Sequence, residues 1–349
     1  MTSSNKLVVH IGLGKTATTT LQKHIFPTIA EMKGYAYNSN RLHELLYRQH
    51  LTTELTEERA VLDQNLPPQQ PTFLSNEALV GWQPSDWESH ADKNLEILGP
   101  DATIIISVRE PQAFMTSLFL EMFKQGVIKS PHEFLMDRTR FDQTAGDRCR
   151  GALMDFSVDD FDLEHLHSLY ASRFRSVYIM PLESLPKAWV LTKAFNLSDA
   201  ESEQIKSRLE NAKRENIAHS ARGVRLILWR ERVLNLFGKS AFDNNARHRF
   251  MAACLKPLTD LSGYHATRFW DLPLRDRIRV FPSRLKRKLL HAVKFRSFVE
   301  TFADRLLPNE KYVLPTDVYR NAALTEKNRQ FIARVLEQEN TCAQSKHGA

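Results

Sequence analysis

The chain has 349 residues, 42% of them hydrophobic and 26% charged, with a formal net charge of +7. The proportions are ordinary for a soluble globular protein, and the length fits one α/β domain with a helical extension. No apolar run reaches the roughly 18 residues of a transmembrane helix, and Cys149, Cys254 and Cys342, with no CxxC pair among them, argue against a disulfide framework or a zinc site.

The N-terminus, MTSSNKLVV, lacks a signal-peptide core because its apolar run belongs to the first strand. With the cysteine usage, this predicts a reducing, cytoplasmic setting. Leu7, Val8, Val9 and Ile11 read as a strand buried on both faces. Gly12, Gly14 and Lys15 follow, then Thr16, Ala17, Thr18, Thr19 and Thr20, then Leu21, Gln22, Ile25 and Phe26 at helical spacing. Strand, glycine-rich turn, lysine, hydroxyls and helix make a phosphate cradle, with backbone N–H groups and the helix dipole aimed at an anion. Lys15 adds a mobile point charge that can follow charge as it develops. The plainer alternative is a threonine-capped turn with Lys15 solvated. The segment is not a Walker A loop, which needs a glycine where Val9 stands.

Further on, Tyr35–Tyr37 reads as a short strand and Arg41–Leu66 as helical, broken by Pro67, Pro68 and Pro71. Thr72–Ser75 is a short buried strand with Asn76 and Glu77 at its carboxyl end. Trp82–Leu98 is a loop and helix, and Thr103–Val108 is the clearest buried strand. Arg109-Glu110-Pro111 follows it, then a helix from Gln112 to Gln125. Strands alternating with helices predict a parallel, doubly wound sheet, with ligands at the carboxyl ends of the strands. Asp137–Asp160 reads as irregular. A helix at Leu163–Phe174, a strand at Val177–Met180 and helices at Lys187–Phe195, Asp199–Lys213, Gly223–Leu236, Ser283–Ala303 and Asn321–Glu339 complete the pattern. The expected organisation is an α/β domain over 1–240 and a helical C-terminal extension over 241–349 packed on it.

Several side chains stand where chemistry is expected. A guanidinium at a strand end (Arg109) and a hydroxyl two turns into the next helix (Ser117) suit one phosphate. The plainer role for Arg109 is an ion pair with Glu110 or Glu121. Glu77 follows a strand and should face the same crevice as Lys15, as a general base or a capping glutamate. His10 is the second base candidate, though a packed strand-end histidine suits it better. Glu183 fits a supporting role or a pair with a cation. His165 and His167 diverge on one helix, cannot share a metal and read as surface residues. The basic stretch Arg284–Arg296 fits a solvated amphipathic helix, an acidic-substrate contact or a peripheral membrane contact. No nucleic-acid motif accompanies the charge.

Lys15-Thr16-Ala17-Thr18-Thr19 resembles the 5′-phosphosulfate loop of sulfotransferases that use PAPS (3′-phosphoadenylyl sulfate), with Ala17 where that loop usually has glycine. The Arg109–Ser117 spacing is similar to the same family's 3′-phosphate site. The resemblance implies a P-loop NTPase-like three-layer α/β/α fold with a central parallel sheet. It implies PAPS as donor, PAP as product, and in-line transfer of a sulfuryl group to a hydroxyl or amine without a metal. Gly12, Gly14, Lys15, Thr16, Ala17, Thr18, Thr19, Thr20, Arg109 and Ser117 would hold the nucleotide; Lys15 and Glu77 would be catalytic. The basic, helical C-terminal part suggests an anionic glycan or lipid-linked sugar as acceptor. Two other classes remain at this point: a small-molecule or sugar kinase with a degenerate P-loop, using ATP and Mg²⁺, and a non-catalytic nucleotide-binding protein.

Overall fold

The computed structural model describes residues 6–38, 70–124, 129–143, 155–212, 311–318 and 321–347, with isolated positions between 221 and 233. The chain forms two compact units, one of residues 1–217 with 313–349 and one of residues 218–312. The expected helices at Arg41–Leu66 and Ser283–Ala303, the basic stretch and the boundary at 240 lie outside the described residues.

The first unit is built on five parallel strands: β1 (Leu7–His10), β2 (Ala36–Tyr37), β3 (Thr72–Ser75), β4 (Thr103–Val108) and β7 (Ser176–Pro181), in the order β2-β3-β1-β4-β7. β1 is fully buried, as its unbroken apolar run requires. It pairs in register with β3 on one side (Val8 with Phe73, His10 with Ser75) and with β4 on the other (Val8 with Thr103, His10 with Ile105). The chain leaves β1 toward β2 and β3, then crosses back to β4. This reversal opens a crevice at the carboxyl end of β1, where doubly wound sheets bind ligands. The fold is a parallel sheet flanked by helices, as expected, and is consistent with a P-loop NTPase-like α/β arrangement.

Helix α1 follows β1. It runs Thr18–Thr20, passes through a π-helical turn at Leu21–Ile25 and continues as Phe26–Lys33, where Gly34 closes it in the left-handed region at φ 68°. Its inner face is Leu21, Ile25, Phe26 and Ile29, all with no exposed surface. These residues pack on Val8, Phe73 and Ile105 of the sheet. The Phe73 ring lies 4.8 Å from Phe26 and 4.7 Å from Phe195 of the helix Trp189–Phe195. Burying each such side chain contributes about 1.5–3 kcal/mol, so this layer holds the sheet and α1 as one body.

The other face carries α2 (Trp87–Leu98), α3 (Pro111–Lys124) and the helix Leu163–Ala171. Trp87, Phe114, Phe156 and Phe161 form its aromatic core, with Phe114 stacked on Phe161 at 4.8 Å. The Asp137–Asp160 stretch is less irregular than expected. It contains the helix Arg138–Gln143 and the strand β6 (Phe156–Ser157), which pairs in parallel with β5 (Leu135–Met136). Elements this short leave no periodic signal in a sequence.

The C-terminal helix, Ala322–His347, returns to this unit. Buried Asn328 accepts from the Leu163 N–H at 2.8 Å and donates to the Phe161 carbonyl at 2.6 Å. The ring of His167 lies 5.9 Å from that of Phe331, so this histidine is half-buried rather than a surface residue, while His165 is exposed as expected. No described helix is long and apolar enough to cross a membrane.

Candidate functional site

The loop after β1 is bent by two non-glycine residues in the left-handed region, Lys15 at φ 70° and Ala17 at φ 61°. An L-residue pays about 1–2 kcal/mol there, so the glycine that the resemblance expects at position 17 has a conformational reason. Left-handed residues alternating along a chain turn successive N–H groups toward one concavity. Ile11 and Leu13 still donate to the Ile105 and Ser107 carbonyls of β4, at 2.9 and 3.0 Å. Beyond Leu13, Gly14 and Lys15 form a turn, and Thr16 and Ala17 lead from it into α1. The two glycines are required by close approach. A Cβ on Gly12 would sit 1.7 Å from Ser107 Oγ, and one on Gly14 would sit 2.5 Å from the indole ring of Trp82.

Charged side chains border this loop. Lys15 Nζ lies 2.7 Å from Glu121 Oε2 on α3, with about a fifth of each side chain exposed. Lys15 is therefore paired, not merely solvated. Arg109, at the end of β4, donates from Nη1 to the Lys15 carbonyl at 3.3 Å. It is half-buried. Burial pulls its guanidinium below the ordinary value, and the Glu183 and Glu110 carboxylates oppose that. Glu183 accepts from the Glu110 N–H at 3.0 Å and so supports the strand end, as anticipated. Glu110 also accepts from Ala113 N–H at 2.8 Å and from Arg329 of the C-terminal helix at 3.0 Å. Ser117 lies on α3, four residues before Glu121. That spacing puts it on the helix face turned toward Lys15.

Glu77 opens a short 3₁₀ turn, Glu77–Val80, capped by Asn76, whose side chain accepts from the Ala78 N–H at 2.9 Å. β3 lies beside β1, so Glu77 reaches the loop: it accepts from Thr18 Oγ at 2.5 Å. Thr19 and Thr20 continue into α1, both partly exposed. The loop, Glu77 and Arg109 thus stand on three adjacent strand ends, those of β1, β3 and β4.

Beneath them runs a hydrogen-bond chain that sequence reasoning missed. Thr16 Oγ donates to the Leu13 carbonyl at 2.5 Å and so must accept from Ser107 Oγ, 2.6 Å away. Ser107 must then accept from His10 Nε2 at 3.0 Å, which places the proton on that nitrogen. His10 Nδ1 is left to accept from Ser75 Oγ at 2.9 Å, and Ser75 accepts from Gln22 Nε2 at 3.1 Å. A neutral imidazole fits this order. Burial agrees, lowering the His10 pKa to about 3. His10 has no exposed surface and both ring nitrogens are engaged, so it ties β1 to β3 and β4 and cannot reach an acceptor.

No protein-family model matches the chain, and no curated protein matches its sequence. Among solved structures it is similar to a sulfotransferase from Alicyclobacillus acidocaldarius, at 11% identity over 56% of this chain and 82% of that one, with a TM-score of 0.36. It is also similar to a gluconokinase from Sinorhizobium meliloti, at 16% identity over 59% of this chain and 97% of that one, with a TM-score of 0.27. Likenesses this weak say nothing about chemistry.

Proposed function

We propose that this chain is a PAPS-dependent sulfotransferase, transferring a sulfuryl group to a hydroxyl or amine. The observation that carries this reading is how Thr16 and Arg109 are used. In a P-loop kinase the hydroxyl after the loop lysine holds Mg²⁺, assisted by an acidic strand end. Here the Thr16 hydroxyl is buried and committed to the Leu13 carbonyl and Ser107. Of the two strands that flank β1, β4 ends in a half-buried cation, Arg109, while the acid after β3, Glu77, accepts from the Thr18 hydroxyl. A phosphate suits that cation, and Ser117 on the neighbouring helix face suits the same phosphate.

In this reading the amides of 14–17 and Lys15 hold the 5′ end of the donor, and Arg109 with Ser117 holds its 3′-phosphate. The acceptor oxygen or nitrogen attacks sulfur as the bond from sulfur to the bridging phosphate oxygen breaks. Glu77 takes the acceptor proton, oriented by the Thr18 hydroxyl that donates to it. Lys15 neutralises charge on the departing bridging oxygen. PAP leaves with that electron pair.

A thermal-shift panel of PAP, PAPS, ATP and ATP–Mg²⁺ tests the donor. A ligand at about 100 times its Kd adds roughly 2.7 kcal/mol. PAP is expected to raise the melting temperature in EDTA. Stabilisation by ATP–Mg²⁺ alone would contradict the PAPS reading and favour a kinase.

A further inference from the structure

We propose that Glu121 is the resting counter-ion of Lys15 and competes with a bound phosphate for that cation, so that the loop contains its own competitor for the ligand. The proposal rests on reading the Lys15 loop as a phosphate cradle. Lys15 has its backbone fixed twice, by its left-handed conformation and by the hydrogen bond its carbonyl accepts from Arg109. The part left to move is the four-carbon stem with its rotatable ammonium. That ammonium sits 2.7 Å from Glu121, with 19% of the Lys15 side chain and 23% of the Glu121 side chain exposed. The pair is neither dispersed by solvent nor locked in the core, and such a pair can exchange partners.

Position makes the exchange a competition. Glu121 lies one helical turn beyond Ser117, on the α3 face turned toward the loop. A phosphate entering the loop meets the Glu121 carboxylate and must draw Lys15 away from it. The opposite wall repeats the pattern, because Glu77 accepts from the loop hydroxyl of Thr18. Carboxylates thus stand on both sides of the loop, occupying the cation and a hydroxyl that a ligand would use. A polyanion offers Lys15 more charge than one carboxylate does, so the arrangement favours diphosphate-like ligands.

Titration calorimetry of the full-length protein with inorganic pyrophosphate, PAP and ATP tests this, in parallel with Glu121→Gln and Glu121→Ala. Removing the competitor should tighten pyrophosphate binding about fivefold, the equivalent of the ~1 kcal/mol of a partly exposed ion pair. The melting temperature of the ligand-free variant should fall slightly, and that of the saturated variant should match the parent. A purely structural Glu121 would lower both melting temperatures and leave affinity unchanged or weaker. That result, in variants whose circular dichroism is unaltered, overturns the proposal. Failure of all three ligands to bind the parent and both variants also overturns it, since nothing would then compete. If pyrophosphate and ATP gain on substitution while PAP binds neither protein, the competitor stands and the sulfuryl-donor reading falls.

Discussion

Two groups of polar side chains meet at the carboxyl ends of β3, β1 and β4, and they are built on opposite terms. The lower group, from Gln22 through Ser75, His10 and Ser107 to Thr16, is neutral, and each of its donors has an acceptor. His10, Ser75, Ser107 and Thr16 are all buried. The upper group, Lys15, Glu121, Arg109 and Glu77, is charged and partly exposed. A buried network with every partner in place rigidifies what it joins. Charges at a partly wet surface gain little from any one partner and can change it. The lower group therefore fixes where the loop stands, and the upper group is what a ligand can rearrange. Substitutions in the two groups should fail differently: below, the protein loses stability; above, it stays folded and loses chemistry.

The largest effects belong to the upper group. Glu77→Gln keeps shape and removes basicity. Turnover, followed as PAP release, should fall by about 10²–10⁴-fold, with PAP affinity unchanged or slightly improved. Near-normal turnover would place the base elsewhere. Lys15→Ala should cut kcat by about 10²–10³-fold, as for one lost oxyanion donor. Normal kcat with a raised KM would reduce Lys15 to a ground-state contact.

The lower group should answer in stability. His10→Ala removes a buried ring, leaves the Ser75 hydroxyl without its acceptor and takes a donor from Ser107, at a cost of about 3 kcal/mol or more in urea unfolding. The same residue sets a pH dependence. The unfolded chain protonates His10 near 6.5 and the folded chain only near 3. The unfolded state therefore binds more protons between those values, and stability falls as pH drops through that window, by up to about 1.4 kcal/mol per unit. His90, lowered to about 4 chiefly by burial, acts with the same sign. His10→Asn should flatten the slope of unfolding free energy between pH 7 and 5. An unchanged slope would mean that His10 is not the neutral link described.

The smallest effect sharpens the boundary between the groups. Ala17 sits at φ 61°. Glycine there relieves left-handed strain but frees the unfolded chain, so Ala17→Gly should stabilise by about 0.5–1 kcal/mol net. A destabilised variant would argue against the left-handed loop.

Much of this was legible in the sequence, for reasons that differ by element. β1 and β4 are continuous β-branched runs, and Gly12, Gly14 and Lys15 stand together in the chain, so strands and loop could be read locally. Alternation of elements gave the parallel sheet and placed Glu77 and Arg109 at the carboxyl ends of its strands. The lower network could not be read this way. Ser107 meets Thr16 across 91 positions and His10 across 97, and a serine inside an apolar strand looks like any other. Glu121 was foreseen only as a partner for Arg109. Its pairing with Lys15 depends on where α3 packs against the loop. Trp82 lies over Gly14 from a turn whose sequence carries no periodic signal.

The central claim is that the cation at the end of β4 selects a nucleotide with a 3′-phosphate. It is tested most directly by titrating PAP and adenosine 5′-phosphate, in EDTA, into the parent protein and Arg109→Ala. The parent should prefer PAP. The variant should lose about 1.5–3 kcal/mol of PAP binding, the worth of a charge-assisted contact, and almost none for adenosine 5′-phosphate. Equal losses for the two nucleotides, or no preference for PAP in the parent, would contradict the account.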